Sequence, residues 1–314
     1  MQAATVYVIG ECMIELQRGT DAASMDYRFG GDTLNAALYL ARLLGNEHEH
    51  EHEHEHVAYV TGLGLDGMSD EMCAAWEREG IATQAVQRLP TKLPGIYLIE
   101  TDAGGERRFH YWRSDSAARH WLRAPGAPAV LAQLASARMV YLSGISMAIL
   151  SPDDRATIIA TLAQCRAAGG TVVFDNNYRP RLWESVEVAI DTYRRVLEHT
   201  SIALLTLDDE EALYGATDAH AVIARTRALG VTEVVVKCGG APCVLWADGR
   251  LDTVEAPAVV NVVDTTAAGD SFGAAYLAAR LRGQSGVQAA AAGHRLAGTV
   301  IQHRGAIIPA AAMP

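Results

Sequence analysis

The segment 264–273, DTTAAGDSFG, combines small residues with a carboxylate just before a predicted helix at residues 272–281. Its small residues, which let backbone N–H groups approach an anion closely, are Ala267, Ala268 and Gly269. Asp270 would repel a phosphate bound there unless it had another role, and accepting a proton from a substrate hydroxyl is such a role. The segment therefore predicts a phosphate cradle beside a general base. The alternative is an ordinary turn in which Thr266 or Asp270 caps the helix.

The segment 29–37, FGGDTLNAA, places paired glycines and polar side chains before another predicted helix. Gly30 and Gly31 allow a ligand to lie against the backbone, while Asp32 and Asn35 can hold sugar hydroxyls. The alternative is a turn with a capping Asp or Thr. As a ligand site, the segment predicts the part of a cleft that holds a sugar.

Residues 93–101 and 107–113, joined by a glycine-containing loop, predict a β-hairpin. The two-residue period of the second strand places Phe109, Tyr111 and Arg113 on one face. That face could pack on the protein's own core, or it could cover a ligand. The arginine at its end favours a ligand-facing lid. Two further segments predict strands of the same small sheet: 11–17 and 25–29.

Continuous β-branched runs predict buried parallel strands. They cover residues 6–9, 57–60, 139–143, 171–175, 202–205 and 234–237. Apolar residues at helical spacing predict helices over residues 35–44, 69–79, 153–168, 186–198, 209–214 and 220–229. The alternation predicts an α/β fold with a doubly wound, mostly parallel sheet, and ligands are expected at the carboxyl ends of its strands.

The composition fits a globular protein, since half of the 314 residues are hydrophobic and 20% are charged. The net charge of −11 argues against a nucleic-acid partner, because binding a phosphate backbone requires a basic face. No apolar run approaches the ~20 residues that span a bilayer, so no membrane partner is expected. Five scattered cysteines and the lack of a basic leader predict a cytoplasmic location.

Residues 47–56 repeat Glu-His five times and hold five of the eleven histidines. An extended strand would place all these histidines on one side, where they could collect a divalent metal. The run lies between a predicted helix and a predicted strand, at a connection where insertions are tolerated. We therefore expect a solvated loop without a specific metal site.

The Gly-Gly-x-x-x-Asn element at 30–35 and the Asp-Thr-Thr-Ala-Ala-Gly-Asp element at 264–270 resemble the two signatures of the ribokinase-like (PfkB) family of sugar and nucleoside kinases. The correspondence covers essentially the whole chain. It implies a single kinase domain over residues 1–314, with three α/β/α layers, a mostly parallel central sheet and a small β-sheet lid. The lid would be contributed by about 11–30 and 93–114. The resemblance also implies ATP and Mg²⁺ as cofactors.

Longer motifs resemble the family's bacterial 2-keto-3-deoxygluconate kinases, at residues 10–16, 29–35, 174–183 and 305–309. This implies transfer of the γ-phosphate of ATP to the 6-hydroxyl of 2-dehydro-3-deoxy-D-gluconate, a sugar acid. Arg113 and Arg179 support an acidic substrate, because guanidinium groups bind carboxylates bidentately. The alternatives are a kinase of another sugar (fructose, ribose or a keto-acid epimer) and a non-catalytic sugar-acid binder.

The family resemblance also implies roles for individual residues. The sugar would be bound by Gly30, Gly31, Asp32, Asn35, Tyr97, Tyr111, Arg113, Arg179 and Asp270. The nucleotide would contact Asn177, Lys237, Gly239, Gly240, Thr265, Ala267 and Gly269. Catalysis would depend on Asp270 as the base and on the amides of Ala267, Ala268 and Gly269. Arg179 could instead contact an ATP phosphate.

Two further expectations concern charge. The family usually has an Asn-x-x-Glu motif that affects magnesium binding where this chain has Asp208 and Glu211, so an indirect metal role is implied for Glu211. Magnesium itself would be held mainly by ATP oxygens and water. At a helix start, Asp270 is expected to stay ionised and to act as a weak base.

A homo-oligomer could form through the exposed edges of the lid sheet.

Overall fold

The computed structural model describes residues 6–18, 24–45, 57–101 and 107–314. Within them the strands are β1 Val6–Ile9, β2 Met13–Arg18, β3 Met25–Gly30, β4 Val57–Val60, β5 Gly62–Leu63, β6 Ile81–Ala82, β7 Gln87–Arg88, β8 Gly95–Thr101, β9 Arg107–Trp112, β10 Met139–Ser143, β11 Thr171–Asp175, β12 Ile202–Thr206, β13 Glu233–Lys237, β14 Cys243–Ala247 and β15 Arg250–Val254. The α-helices are α1 Asp32–Gly45, α2 Gly67–Arg78, α3 Ala127–Ala135, α4 Gly144–Ala148, α5 Pro152–Ala167, α6 Val186–Leu197, α7 Leu207–Tyr214, α8 Ala219–Ala228, α9 Ala268–Leu281 and α10 Gly286–Val300. The Glu-His run at 47–56 lies outside the described residues.

The central sheet has the strand order β15-β14-β13-β12-β11-β10-β1-β4-β6. Pairing is parallel from β6 through β13, and β14 and β15 extend the sheet in antiparallel orientation. The predicted α/β fold with a mostly parallel sheet is confirmed. The six predicted parallel strands are confirmed to within one residue. The sequence patterns do not predict β14, β15, α3 or α10.

Both faces of the sheet are buried. Successive residues of a strand point to opposite sides, so each strand sends side chains into both buried layers. In β11, Val172 and Phe174 pack in the same layer as α5, while Val173 packs in the same layer as α9. All three side chains are fully buried. The strand is therefore apolar without alternation, and burying each side chain contributes roughly 1.5–3 kcal/mol.

The lid is a separate sheet with the strand order β3-β2-β8-β9. β2 pairs in parallel with β8, and the predicted hairpin of β8 and β9 is antiparallel. The rings of Tyr97, Phe109 and Tyr111 pack on one face, with 5.7 Å between the ring centroids of Tyr97 and Tyr111. The prediction that Phe109 and Tyr111 share a face is confirmed.

The carboxyl ends of the parallel strands place polar residues at one edge of the central sheet. Asp175 ends β11 and Lys237 ends β13, while the packed helices α1 and α9 begin at Asp32 and Ala268. Among the described residues, no helix is both long enough and apolar enough to cross a bilayer.

Candidate active site

A cleft of about 1460 Å³ lies between the lid sheet and the carboxyl edge of the central sheet. The predicted site residues that line it are Gly30, Gly31, Asp32, Asn35, Tyr97, Tyr111, Arg113, Asn177, Arg179, Lys237, Thr265, Ala267, Ala268, Gly269 and Asp270. The predicted site residues outside its lining are Gly239, Gly240 and Glu211. The lid and the starts of α1 and α9 therefore converge on one site.

The start of α9 has an unusual cap. Ala267 precedes the helix in a left-handed conformation, with φ of 61°, and makes no side-chain capping hydrogen bond. The Thr266 hydroxyl instead donates to Asp264 over 2.7 Å. Capping by Thr266 or Asp270 is therefore wrong, and the helix begins four residues before its predicted start. Because the first N–H groups of a helix have no partner within it, this helix start offers donors to an anion in the cleft.

The cradle differs from the prediction in one amide. The N–H of Ala268 donates to the Thr265 carbonyl over 3.2 Å, so it stabilises the turn instead of facing a ligand. Gly269 lies beside Lys237, since a Cβ added to this glycine would be 3.5 Å from the ammonium nitrogen. Lys237 donates to Asp175 over 2.8 Å, and both side chains are at most 10% exposed. A buried ammonium group beside a helix start suits a phosphate.

Asp270 lies in the wall of the cleft and accepts a hydrogen bond from Asn35 over 2.8 Å. Burial, and next the negative charge of Asp32, raise the pKa of Asp270 to about 7, although the Asn35 hydrogen bond opposes the shift. At neutral pH the helix start therefore does not by itself keep Asp270 fully ionised, and Asp270 is a stronger base than the weak base expected there. A carboxyl with this pKa is a better proton acceptor than an ordinary aspartate.

Asp32 is held by two short hydrogen bonds, from the Ser143 hydroxyl and from the Asn177 side-chain amide, both 2.6 Å. Asn177 has a positive φ of 27°, and its amide contacts the first residue of α1. The sequence predicts Asn177 for the nucleotide and Asp32 for the sugar. The structure joins these two residues directly.

Two carboxylates that were not among the predicted site residues lie in the lid and at its junction with the central sheet. Glu11 accepts a hydrogen bond from Arg113, and Glu15 accepts one from the Tyr97 hydroxyl. Burial, and next Glu15, raise the pKa of Tyr97 well above its usual range. Arg113 is therefore not an isolated cation, because an almost fully buried carboxylate already occupies part of its guanidinium.

Arg179 lies in a different part of the cleft. Its guanidinium donates to the Tyr178 carbonyl over 2.8 Å and lies 3.5 Å from the Asp209 carboxylate, and its side chain is 53% exposed. Burial raises the pKa of Asp209, and the charge of Arg179 opposes that shift. Arg179 is thus tied to the start of α7, whereas Arg113 is tied to Glu11.

The acidic start of α7 divides between the cleft and the protein interior. Asp208 and Asp209 line the cleft, whereas Glu211 is exposed and lies outside the lining. Glu210 is buried and bonds to Asn176 over 3.0 Å. At this point of α7 the side chain that faces the protein interior is that of Glu210. The structure therefore does not bring Glu211 to the site.

Gly239 and Gly240 form an exposed turn that follows Lys237 and Cys238, closed by the Ala241 N–H donating to the Cys238 carbonyl over 3.0 Å. Gly239 has a φ of 60°, which favours glycine. A Cβ added to either glycine would meet no atom within 4 Å. The turn offers open backbone next to the cleft but is not part of its wall.

The chain matches known kinases along almost its whole length. Residues 3–313 match the model of the pfkB family carbohydrate kinases. The chain belongs to this family. Two proteins named 2-dehydro-3-deoxygluconokinase are both 51% identical to it. The match to the protein from Dickeya dadantii covers 100% of both chains, and the match to the protein from Escherichia coli K12 covers 98% of both chains. The solved structure of a putative Ribokinase II from E. coli, in complex with ATP and Mg²⁺, has a TM-score of 0.79 and 21% identity, with 96% of this chain and 94% of that one covered.

The family signatures locate the cleft, but four acidic residues of the site lie outside them or at positions the motifs do not single out. These residues are Glu11, Glu15, Asp175 and Asp209. The available signal was position, because Asp175 ends a predicted strand and Asp209 begins a predicted helix. Neither position reveals the partner of the side chain.

Proposed function

We propose that the chain is an ATP-dependent kinase that phosphorylates the 6-hydroxyl of 2-dehydro-3-deoxy-D-gluconate. The product is 2-dehydro-3-deoxy-6-phospho-D-gluconate. The observation that carries the proposal is the contact of Asp270, at the start of α9, with Asn35 of the glycine-rich segment at the start of α1. Full-length identity of 51% to relatives named for this activity supports this substrate over neutral sugars.

The sugar acid would lie against the lid and the start of α1. Asp32 and Asn35 supply polar groups for its hydroxyls, and the paired glycines line the cleft next to them. Tyr97 and Tyr111 form an aromatic wall. Arg113, whose guanidinium lies 6.0 Å from the Tyr111 ring centroid, would bind the acid end.

The nucleotide would lie at the other end of the cleft. ATP, when bound, supplies the γ-phosphoryl group, and Mg²⁺ neutralises charge on its phosphate oxygens. The residues that would hold the phosphates are Thr265, Ala267, Gly269 and Lys237, with the open turn at Gly239 and Gly240 beside them.

The donor set fits magnesium that keeps phosphate and water ligands. Among the described residues, no group of three or more His, Cys, Asp or Glu side chains could hold a metal ion. Asp208 and Asp209 line the cleft and could hold such an ion together with the phosphates. The described lining carries more carboxylates than basic side chains, so anionic substrates need a cation there.

Asp270 would accept the proton of the 6-hydroxyl while the hydroxyl oxygen of the sugar attacks the γ-phosphorus. The new P–O bond forms as the bond to the departing ADP oxygen breaks. Asn35 holds one carboxylate oxygen of Asp270 and leaves the other to face the hydroxyl. The helix start and Lys237 stabilise charge on the transferring group.

The test is ADP release by the purified protein, measured with a panel of sugar acids and neutral sugars. We expect turnover with 2-dehydro-3-deoxy-D-gluconate and much lower kcat/KM with fructose and ribose. Turnover with a neutral sugar but with no keto-deoxy acid would contradict the proposed substrate. Binding of a sugar acid without any turnover would favour a non-catalytic binder. Mass spectrometry and NMR of the product would locate the phosphate on the 6-oxygen.

Two remaining parts of the proposal concern context. We place the enzyme in the cytoplasm, where ATP is available and where its five free cysteines would stay reduced. A homo-oligomer built on the lid edges stays a prediction, with β3 and β9 as the edge strands.

A further inference from the structure

The ion pair between Glu11 and Arg113 is buried and incompletely satisfied. The side chain of Glu11 is 1% exposed and that of Arg113 is 10% exposed. They share a hydrogen bond between Arg113 Nη2 and Glu11 Oε2. Glu11 Oε1 and Arg113 Nε are also buried, and neither has a hydrogen-bond partner in the described part of the chain. Both residues line the cleft.

Glu11 lies at the junction between the central sheet and the lid, between the end of β1 and the start of β2. Two glycines make room for it. A Cβ on Gly31 would lie 2.2 Å from the Glu11 carbonyl oxygen, and a Cβ on Gly95 would lie 2.8 Å from Glu11 Oε1. Close packing therefore fixes the backbone of Glu11 beside the start of α1 and its carboxylate beside β8 of the lid.

We propose that Glu11 is a positioning residue that holds the Arg113 guanidinium in the orientation in which its remaining donors meet the acid end of the sugar. This inference rests on the proposed function. A guanidinium is a planar fork with five N–H donors, and Glu11 engages it through Nη2 alone. Bidentate recognition of a carboxylate depends on the orientation of that plane.

Positioning by Glu11 and a purely electrostatic role of Glu11 predict opposite changes in sugar-acid binding when Glu11 is removed. Glu11 brings a negative charge close to the acid end of the substrate. If that charge mattered most, removing it would strengthen binding of the sugar acid. If Glu11 positions Arg113, removing it weakens binding, because the guanidinium loses its orientation.

The experiment measures kcat, the KM for the sugar acid and the KM for ATP in Glu11→Ala, Glu11→Gln, Arg113→Ala and the double variant Glu11→Ala/Arg113→Ala. We expect Glu11→Ala to raise the KM for the sugar acid about tenfold to a hundredfold, with the KM for ATP unchanged. Glu11→Gln keeps an oxygen that accepts from Nη2, so its increase should be smaller. The double variant should match Arg113→Ala within about twofold, because Glu11 acts through Arg113.

Glu79→Ala is the matched control, since Glu79 pairs with Arg42, which is also 10% exposed but lies outside the cleft lining. It should reduce the thermal stability without changing the KM for the sugar acid. An unchanged or lower KM in Glu11→Ala, a lower KM in Glu11→Gln, or effects of Glu11→Ala and Arg113→Ala that simply add would overturn the positioning role. Wild-type protein that turns over no keto-deoxy acid would instead overturn the proposed function. Circular dichroism checks that each variant folds, and Glu11→Gln decides the question if Glu11→Ala does not.

Discussion

Asn35 donates a hydrogen bond from its side-chain amide to Asp270 Oδ2 over 2.8 Å, although 235 positions separate the two residues. The packing of α1 against α9 brings them together. The donor stabilises the ionised form of Asp270, while burial and Asp32 favour the protonated form. The pKa of the proposed base, which lies in α9, therefore depends on two residues of α1.

Replacing Asp270 with asparagine tests the base directly. Asp270→Asn keeps the size of the side chain but cannot accept the hydroxyl proton, so turnover should fall by about 10²- to 10⁴-fold. ATP binding should be largely retained, because the amides of the helix start remain. Steady-state kinetics and calorimetric titration with ATP measure the two effects. Near-normal turnover would exclude Asp270 as the base.

Removing the Asn35 donor should move the pH dependence upward. In Asn35→Ala the ionised form of Asp270 loses a hydrogen bond, so its pKa should rise above the value of about 7 in the intact site. Because the ionised form is the active one, the acidic limb of kcat/KM should shift to higher pH. Asn261→Ala, in an exposed loop, is the control. A limb that stays in place would show that the hydrogen bond does not tune the base.

Removing the charge of Asp32 should move the same limb in the opposite direction. Asp32 raises the pKa of Asp270, so Asp32→Asn should lower that pKa and extend activity to lower pH. The absolute kcat/KM should also fall, since Asp32 faces the proposed sugar site. The shift is therefore measured on profiles normalised to their maxima. Asp153→Asn, exposed in the first turn of α5, should leave the profile unchanged; an upward shift in Asp32→Asn would contradict the assignment.

Local patterns predicted the elements of this fold better than the electrostatics of its site. The runs that end at Asp175 and Lys237 identify two strands, but their ion pair depends on sheet order, because β12 lies between β11 and β13. The pairing of Glu11 with Arg113 likewise joins residues 102 positions apart. The raised pKa of Asp270 likewise depends on Asp32, which the packing of α1 against α9 brings close to it.

The catalytic cradle can be tested separately from folding through Gly269, which follows the first residue of α9. A Cβ there would meet the Lys237 ammonium nitrogen at 3.5 Å, an ordinary contact, so Gly269→Ala should fold and gain up to about 1 kcal/mol from helix propensity. The same methyl group would enter the space proposed for phosphate, so kcat/KM for ATP should fall at least about tenfold. Gly67→Ala, at the start of α2 with open space around it, should leave kcat/KM unchanged. Thermal melts and kinetics on both variants separate the effects, and full activity in Gly269→Ala would place the phosphate elsewhere.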